Sequence, residues 1–174
     1  MEKTIYIHYY SSFCGELLLG SFEDKLCICD WTNKERRASI DKKMQKALHA
    51  RYETGTSDIL VQAITQLDEY FAHKRTSFDV PLLFVGTDFQ KSVWHELLNI
   101  PYGATLSYGE LSLKLGNPKA VRAVAAANGA NPISIFVPCH RVIGSDRSLT
   151  GYGGGLETKK KLLDLEFDEN QFLL

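Results

Sequence analysis

The chain reads as an α+β protein in two parts, a mixed α and β part followed by a mostly helical one. Three observations carry that reading. Residues 4–31 are rich in β-branched, aromatic and leucine side chains and break at short polar turns. Residues 74–86 change character, with Pro81 and Gly86 around a short extended run, Phe78 to Phe84. Beyond them the local signals are helix starts and stops, above all Ser107-Tyr108-Gly109-Glu110. The boundary falls near residue 85, giving parts 1–85 and 86–174.

The first part opens with three strands, Thr4 to Tyr10, Gly15 to Phe22 and Lys25 to Trp31, with breaks at Ser11-Ser12 and Glu23-Asp24. An antiparallel meander is the simplest arrangement. Residues 33–52 are charged, with sparse apolar positions at Ile40, Met44, Ala47 and Leu48, and predict an exposed helix. Ser57 is placed to cap a long helix reaching about His73. Its apolar residues Leu60, Ala63, Ile64, Leu67 and Phe71 recur at helical spacing and mark a core-facing stripe.

In the second part, Asp88 can cap a helix from Phe89 to about Asn99 that buries Phe89, Val93, Trp94, Leu97 and Leu98. Pro101-Tyr102-Gly103 ends it. Ser107 and Glu110 form a capping box for a helix carrying Leu111, Leu113 and Leu115, and Gly116 closes it. Asn117 can cap the next helix, with Pro118 at its first position, where a missing N–H costs nothing. That helix runs to about Ala127, and Gly129 terminates it. Two helices joined by a short Gly-containing turn form a helix-turn-helix. A plain helical hairpin in a core fits the pattern equally well.

The second helix of the pair has an unusual composition, Lys119-Ala120-Val121-Arg122-Ala123-Val124-Ala125-Ala126-Ala127. A major-groove reader usually presents long polar side chains. Alanines instead allow close approach of a backbone, as the narrow minor groove requires, and leave Arg122 free to enter a base stack. The other use for those alanines is packing against neighbouring helices.

Composition bounds the rest. At 174 residues, 44% hydrophobic and 24% charged, the chain has a globular protein's makeup. No apolar run approaches the ~20 residues that span a bilayer. The first residues lack the pattern of a signal peptide, so the cytoplasm is the expected compartment. Cys14, Cys27, Cys29 and Cys139 are then free thiols, and the first three read as packing residues without metal-ligand spacing. Neither metal nor cofactor is expected. Net charge is −1, yet residues 111–147 hold Lys114, Lys119, Arg122, Arg141 and Arg147 against Asp146 alone. Such a basic stretch attracts a polyanion locally.

The chemistry concentrates at Pro138-Cys139-His140-Arg141-Val142. A thiol beside an imidazole becomes a strong nucleophile when its thiolate is favoured. Taken alone, such a pair is more often a buried structural cysteine next to a surface histidine. Downstream, Gly151-Tyr152-Gly153-Gly154-Gly155 offers a wall that a ligand can approach closely, or simply a flexible loop.

This motif, preceded by the helix pair, resembles the O6-alkylguanine-DNA alkyltransferase (methylated-DNA–protein-cysteine methyltransferase) family. The likeness runs from about Phe89 to Phe167. It takes in Ser107-Tyr108, Gly116-Asn117-Pro118-Lys119-Ala120, Arg122-Ala123-Val124, Asn131-Pro132, the Cys-His pair, Tyr152 with its glycines, and Glu166. The N-terminal part matches in general pattern, including Cys14-Gly15-Glu16-Leu17.

The resemblance implies a ribonuclease-H-like α/β N-terminal domain and a helical C-terminal alkyltransferase domain. It implies a single-turnover repair reaction on double-stranded DNA, carried out by a monomer, with no membrane partner. Cys139 would take an alkyl group from O6 of guanine, or O4 of thymine, and keep it. His140 would deprotonate Cys139 through a water, oriented by Glu166, and Tyr108 would donate to N3 of the departing base. The Gly153 N–H would face O6; the family often has serine there, so any hydroxyl contribution is lost. The carbonyls of Cys139 and Val142 would accept from the base's amine, Tyr152 would line the base site, and Asn131 would bridge the motif to the second helix. Arg122 would fill the gap left by the extruded nucleotide, while Lys119, Ala120, Ala123 and Arg141 would meet the DNA. Two other readings remain: a non-enzymatic DNA-binding module, and a thiol hydrolase acting through Cys139.

Overall fold

A computed structural model of the chain describes residues 2–35 and 37–167. The fold divides into two compact units, Met1–Val85 and Gly86–Leu174.

In the first unit, β1 (Lys3–Ser12), β2 (Gly15–Phe22) and β3 (Lys25–Trp31) form the antiparallel meander that their turns imply. All residues from Leu17 to Phe22 are buried, because helices cover both faces of the sheet. Ile5, Ile7, Leu18 and Ile28 pack with Met44 of α1 (Arg37–Leu48). The alternating residues Leu17, Leu19 and Cys29 point the other way, the side on which Ser21 Oγ meets Ser57 Oγ at 2.7 Å. Ser57 is the N-cap of α2 (Asp58–Phe71), and accepts from the Leu60 N–H.

Residues 33–52 are not one helix. The α1 helix stops at Leu48, His49 adopts a left-handed φ of 49°, and Ala50–Thr54 forms β4, parallel to β1. The sheet order is β3-β2-β1-β4. Five residues are too few to show alternation, and the open edge of β1 supplied the hydrogen bonds that decided their state. The extended run near Pro81 makes one bridge to β3, through Leu26 and Leu82.

In the second unit, α3 (Asp88–Leu97) is capped by Thr87 rather than Asp88, with Gln90 completing a capping box. Threonine and aspartate both cap well, and the reciprocal Gln90 bond favours the earlier start. Phe89 and Leu98, expected inside, are 39% and 43% exposed. Trp94 donates its indole N–H to the Ala127 carbonyl at 2.8 Å, fastening α3 to the helix described below.

Next, β5 (Leu106–Ser107) leads directly into α4 (Tyr108–Lys114), whose Ser107–Glu110 capping box forms in full. Leu111 is buried, whereas Leu113 is exposed. Gly116 takes a φ of 74° and closes the helix, a conformation glycine adopts without strain. Residues 117–120 then make a turn, and α5 spans Val121–Gly129. Pro118 is therefore outside the helix, Asn117 does not cap it, and Gly129 is its last residue. The Ala120 N–H is held by the Asn117 carbonyl at 3.1 Å, which delays the start.

A one-turn 3₁₀ helix, Cys139–Arg141, follows, and then β6 (Val142–Ile143) and α6 (Leu156–Glu166). β5 and β6 pair in parallel, with Leu106 opposite Val142 and Ser107 opposite Ile143. This two-stranded ladder sets Tyr108 beside the cysteine turn.

Candidate active site

The approach to Cys139 is rigid. Ile133 to Val142 are all buried. The Asn131 side chain accepts from the Ile133 N–H at 3.0 Å and donates to the Val137 carbonyl at 2.9 Å, so it braces this loop. The Asn131 N–H also meets the Asn128 carbonyl of α5 at 3.3 Å, so Asn131 joins the helix end to this loop. A second tie, which the sequence did not suggest, comes from Asn128, whose amide donates to the Cys139 carbonyl at 3.3 Å.

His140 is fully buried, and its Nε2 stands 2.7 Å from Glu166 Oε2. A nitrogen facing a carboxylate carries the proton, which leaves Nδ1 as the basic site. Nδ1 is buried and has no hydrogen-bond partner among the described residues. Burial lowers the His140 pKa; Glu166 works against this, and Arg141 and Lys159 reinforce it. Burial works to raise the Glu166 pKa, but bonds from His140 and Arg141 outweigh it and keep that carboxyl far below its ordinary range.

Arg141 is not at the surface, as a phosphate contact would require. It is 5% exposed. Its Nε donates to Glu166 Oε1 at 2.7 Å, its Nη2 to Oε2 at 3.1 Å, and its Nη1 to the Ile100 carbonyl at 2.7 Å. Its guanidinium also lies over the Tyr102 ring, 5.8 Å from the centroid. The 3₁₀ turn directs residue 141 inward, where a buried carboxylate demanded a fork-shaped cation.

Cys139 is 4% exposed. Beside it the Tyr108 hydroxyl donates to the Thr150 carbonyl at 2.8 Å, with the Gly151 carbonyl at 3.3 Å. Burial raises the Tyr108 pKa, and charge at Cys139 adds to the effect. A cavity of about 420 Å³ is lined by Tyr108, Arg122, Ala125, Thr150, Tyr152 and Gly153, among others. Cys139 is not part of its lining. The structure thus gathers Tyr108, Arg122, Tyr152 and Gly153 around one hollow, with Cys139, His140, Arg141 and Glu166 packed in the adjoining core. In the turn before α5, Lys119 is exposed and Ala120 half-buried, and on α5 Arg122 and Ala123 are exposed, so the turn and the outward side of the helix together are basic and rich in small residues. Among the described residues, no group of three or more His, Cys, Asp or Glu is arranged to hold a metal.

Lys159, like Asn128, is a residue that the sequence did not single out. It is fully buried, and its Nζ donates to the carbonyls of Val142 at 2.5 Å and Thr150 at 3.0 Å. The Gly151 carbonyl and the Tyr108 hydroxyl each lie at 3.5 Å. Burial pulls its pKa down to about 8, partly offset by charge at Cys139. A signal existed: Lys159, Leu162, Leu163 and Glu166 recur at the spacing of one helical face, so two charged residues occupy an apolar stripe.

Fold and site together define a two-unit α+β protein with a buried cysteine next to a histidine–glutamate pair. Comparison with known proteins gives that class its family. Residues 5–84 match the model of the 6-O-methylguanine DNA methyltransferase ribonuclease-like domain, and residues 88–167 that of its DNA-binding domain. The methylated-DNA–protein-cysteine methyltransferase of Methanosarcina acetivorans is 42% identical over 162 residues, 93% of this chain and 98% of that protein. The protein of that name from Mycobacterium tuberculosis is 60% identical over 104 residues, 60% of this chain and 63% of its own length. The match therefore spans less than two thirds of the mycobacterial relative. The crystal structure of M. tuberculosis O6-methylguanine methyltransferase superposes with a TM-score of 0.79 at 43% identity, covering 93% of this chain and 92% of the other. The M. tuberculosis OGT in complex with DNA matches equally, at a TM-score of 0.79. The chain belongs to the methylated-DNA–protein-cysteine methyltransferase family.

Proposed function

We propose that this chain repairs DNA by moving an alkyl group from O6 of guanine, or O4 of thymine, irreversibly onto Cys139. The observation that carries the reading is the buried His140–Glu166 pair next to Cys139, joined at 2.7 Å, with His140 Nδ1 left as a free base. Nδ1 takes the thiol proton through a water. The thiolate attacks the alkyl carbon, a soft centre suited to sulfur. The C–O6 bond breaks, its electron pair passes to the purine, and the Tyr108 hydroxyl protonates N3. To do so, that hydroxyl must turn from the Thr150 carbonyl that now holds it. The carbonyls of Cys139 and Val142 each have a second lone pair for the base's amine, beside their bonds from Asn128 and Lys159. The Gly153 N–H meets O6.

The alkylated atom is hidden in a duplex, so the nucleotide leaves the stack, at a cost of a few kcal/mol. In this reading α4 and α5 act as a helix-turn-helix. The smooth side of α5 enters the minor groove, Arg122 fills the gap, and Lys119 meets the backbone. Residues 1–85 form the ribonuclease-H-like domain and 86–174 the alkyltransferase domain. The protein acts as a monomer in the cytoplasm, where thiols stay reduced.

Intact mass after mixing with a duplex containing O6-methylguanine tests this. One methyl per chain is expected, on the peptide that holds Cys139. Cys139→Ser should bind the duplex and gain nothing. Many turnovers on a small ester, with no mass gain from DNA, would favour a thiol hydrolase and end the reading.

A further inference from the structure

The alkyl-transfer reading needs His140 to be neutral when it receives the thiol proton, yet His140 sits against the Glu166 carboxylate at 2.7 Å. A lone buried carboxylate at 2.7 Å favours imidazolium. Something must hold that tendency in check. The guanidinium of Arg141 binds the same carboxylate, with Nε on Oε1 and Nη2 on Oε2, the oxygen that also faces His140. It is anchored from behind by the Ile100 carbonyl and the Tyr102 ring.

We propose that Arg141 is a positioning residue for alkyl transfer, which pins Glu166 by both oxygens and balances its charge so that His140 remains a neutral base. The inference rests on the alkyl-transfer reading above. Three features of the geometry support it. The fork occupies both carboxylate oxygens, so Glu166 cannot rotate away from the imidazole. The anchor on Ile100 ties the fork to the turn that follows α3, so its position does not depend on Glu166 alone. The guanidinium and the imidazole share Oε2, which divides the negative charge between them. Hydrogen bonding from two sides also explains why an arginine, with its planar set of donors, stands where a lysine would satisfy only one oxygen.

The charged and titratable groups around His140 are Glu166 and Lys159 on α6, and Arg141 and Cys139 on its own turn. Of these only Glu166 and a Cys139 thiolate are anionic. Arg141 is the cation that touches the same carboxylate, while Lys159 is committed to backbone carbonyls. Burial already lowers the His140 pKa, and Arg141 acts in the same direction. Losing Arg141 leaves the pull of Glu166 unopposed at that oxygen.

The test uses the full chain with ¹⁵N-labelled histidine. Imidazole titration by NMR is combined with the single-turnover rate of methyl transfer from an O6-methylguanine duplex as a function of pH. In the unsubstituted chain His140 should be neutral at pH ~7, with the proton on Nε2. In Arg141→Gln the His140 titration should rise by about one unit or more, and the rising limb of the rate profile should move with it. Arg141→Lys keeps the charge and loses the fork, so the limb should move little while the rate falls. The double variant R141Q/E166Q, without either charge, should return His140 to the neutral form. A folded Arg141→Gln that is slower at every pH, with an unmoved limb and an unmoved titration, reduces Arg141 to a packing role and overturns the proposal. Should Arg141→Gln not fold, Arg141→Lys decides. A slower transfer with an unmoved limb supports the proposal, and an unchanged rate, or an imidazolium at neutral pH in the unsubstituted chain, refutes it. Failure of the unsubstituted chain to take up methyl counts against the alkyl-transfer reading, and the NMR titration is independent of it.

Discussion

His140 has two ring nitrogens in two settings, one bonded to Glu166 and one bare. That asymmetry assigns the tautomer and makes Nδ1 the base. Glu166→Gln should remove both the orientation and the counter-charge of Arg141. Breaking one side of a buried ion pair costs about 3–5 kcal/mol. Urea unfolding should show a loss of that order, and methyl transfer should slow sharply. Asn128 is a subtler case. Asn128→Ala removes the tie between α5 and the Cys139 carbonyl. A loss of about 1 kcal/mol is expected from the missing bond, together with a slower transfer rate and little change in DNA affinity. A transfer rate equal to that of the unsubstituted chain would mean that the cysteine turn needs no such tie. Lys159→Met takes the Lys159 donor from the Val142 carbonyl, while Thr150 keeps its bond from the Tyr108 hydroxyl; a loss of about 1–3 kcal/mol is expected, and thermal melting reads it.

At the scale of elements, the helix ends of the second unit position the chemistry. Tyr108 is the first residue of α4, and its place follows from the Ser107–Glu110 capping box on one side and the β5–β6 ladder on the other. Ser107→Ala should cost about 1 kcal/mol of stability, seen as a lowered urea midpoint. It should also slow transfer, because Tyr108 loses its fixed origin; an unchanged rate would show that the ladder alone suffices. The capping box and the Gly116 stop were legible because each is a local hydrogen-bond pattern within four residues. The start of α5 was not, because Asn117-Pro118 supports a turn as readily as a helix start, and only the surrounding packing selects between them. The strand at Ala50–Thr54 was hidden for a related reason. An edge strand of five residues is made by its neighbour, here β1, rather than by its own pattern.

For the whole molecule, acid should be the weak side. The His140 and Glu166 pKa values are both depressed in the folded state. A group with a depressed pKa binds fewer protons folded than unfolded, so stability falls as pH falls. For His140 the loss begins below its unfolded value of ~6.5, and for Glu166 below ~4.3. The urea midpoint should therefore decline from pH ~6 downward and steepen below pH ~4. A midpoint that stays flat across that range would mean that neither group changes its environment on unfolding. No helix among the described residues is long and apolar enough to cross a membrane.

The sequence by itself determined the class of each unit, the meander and its turns, the capped start of α4, and the set of chemical groups at Cys139, His140, Tyr108 and Glu166. These are written in neighbouring residues or in a motif whose order survives without coordinates. Only the tertiary structure decided that Arg141 turns inward to Glu166, that Lys159 is buried against backbone carbonyls, and that Asn128 also holds the cysteine turn. In each case the partner is many residues away or on another element. A charged side chain looks the same in sequence whether water or a buried carboxylate will receive it.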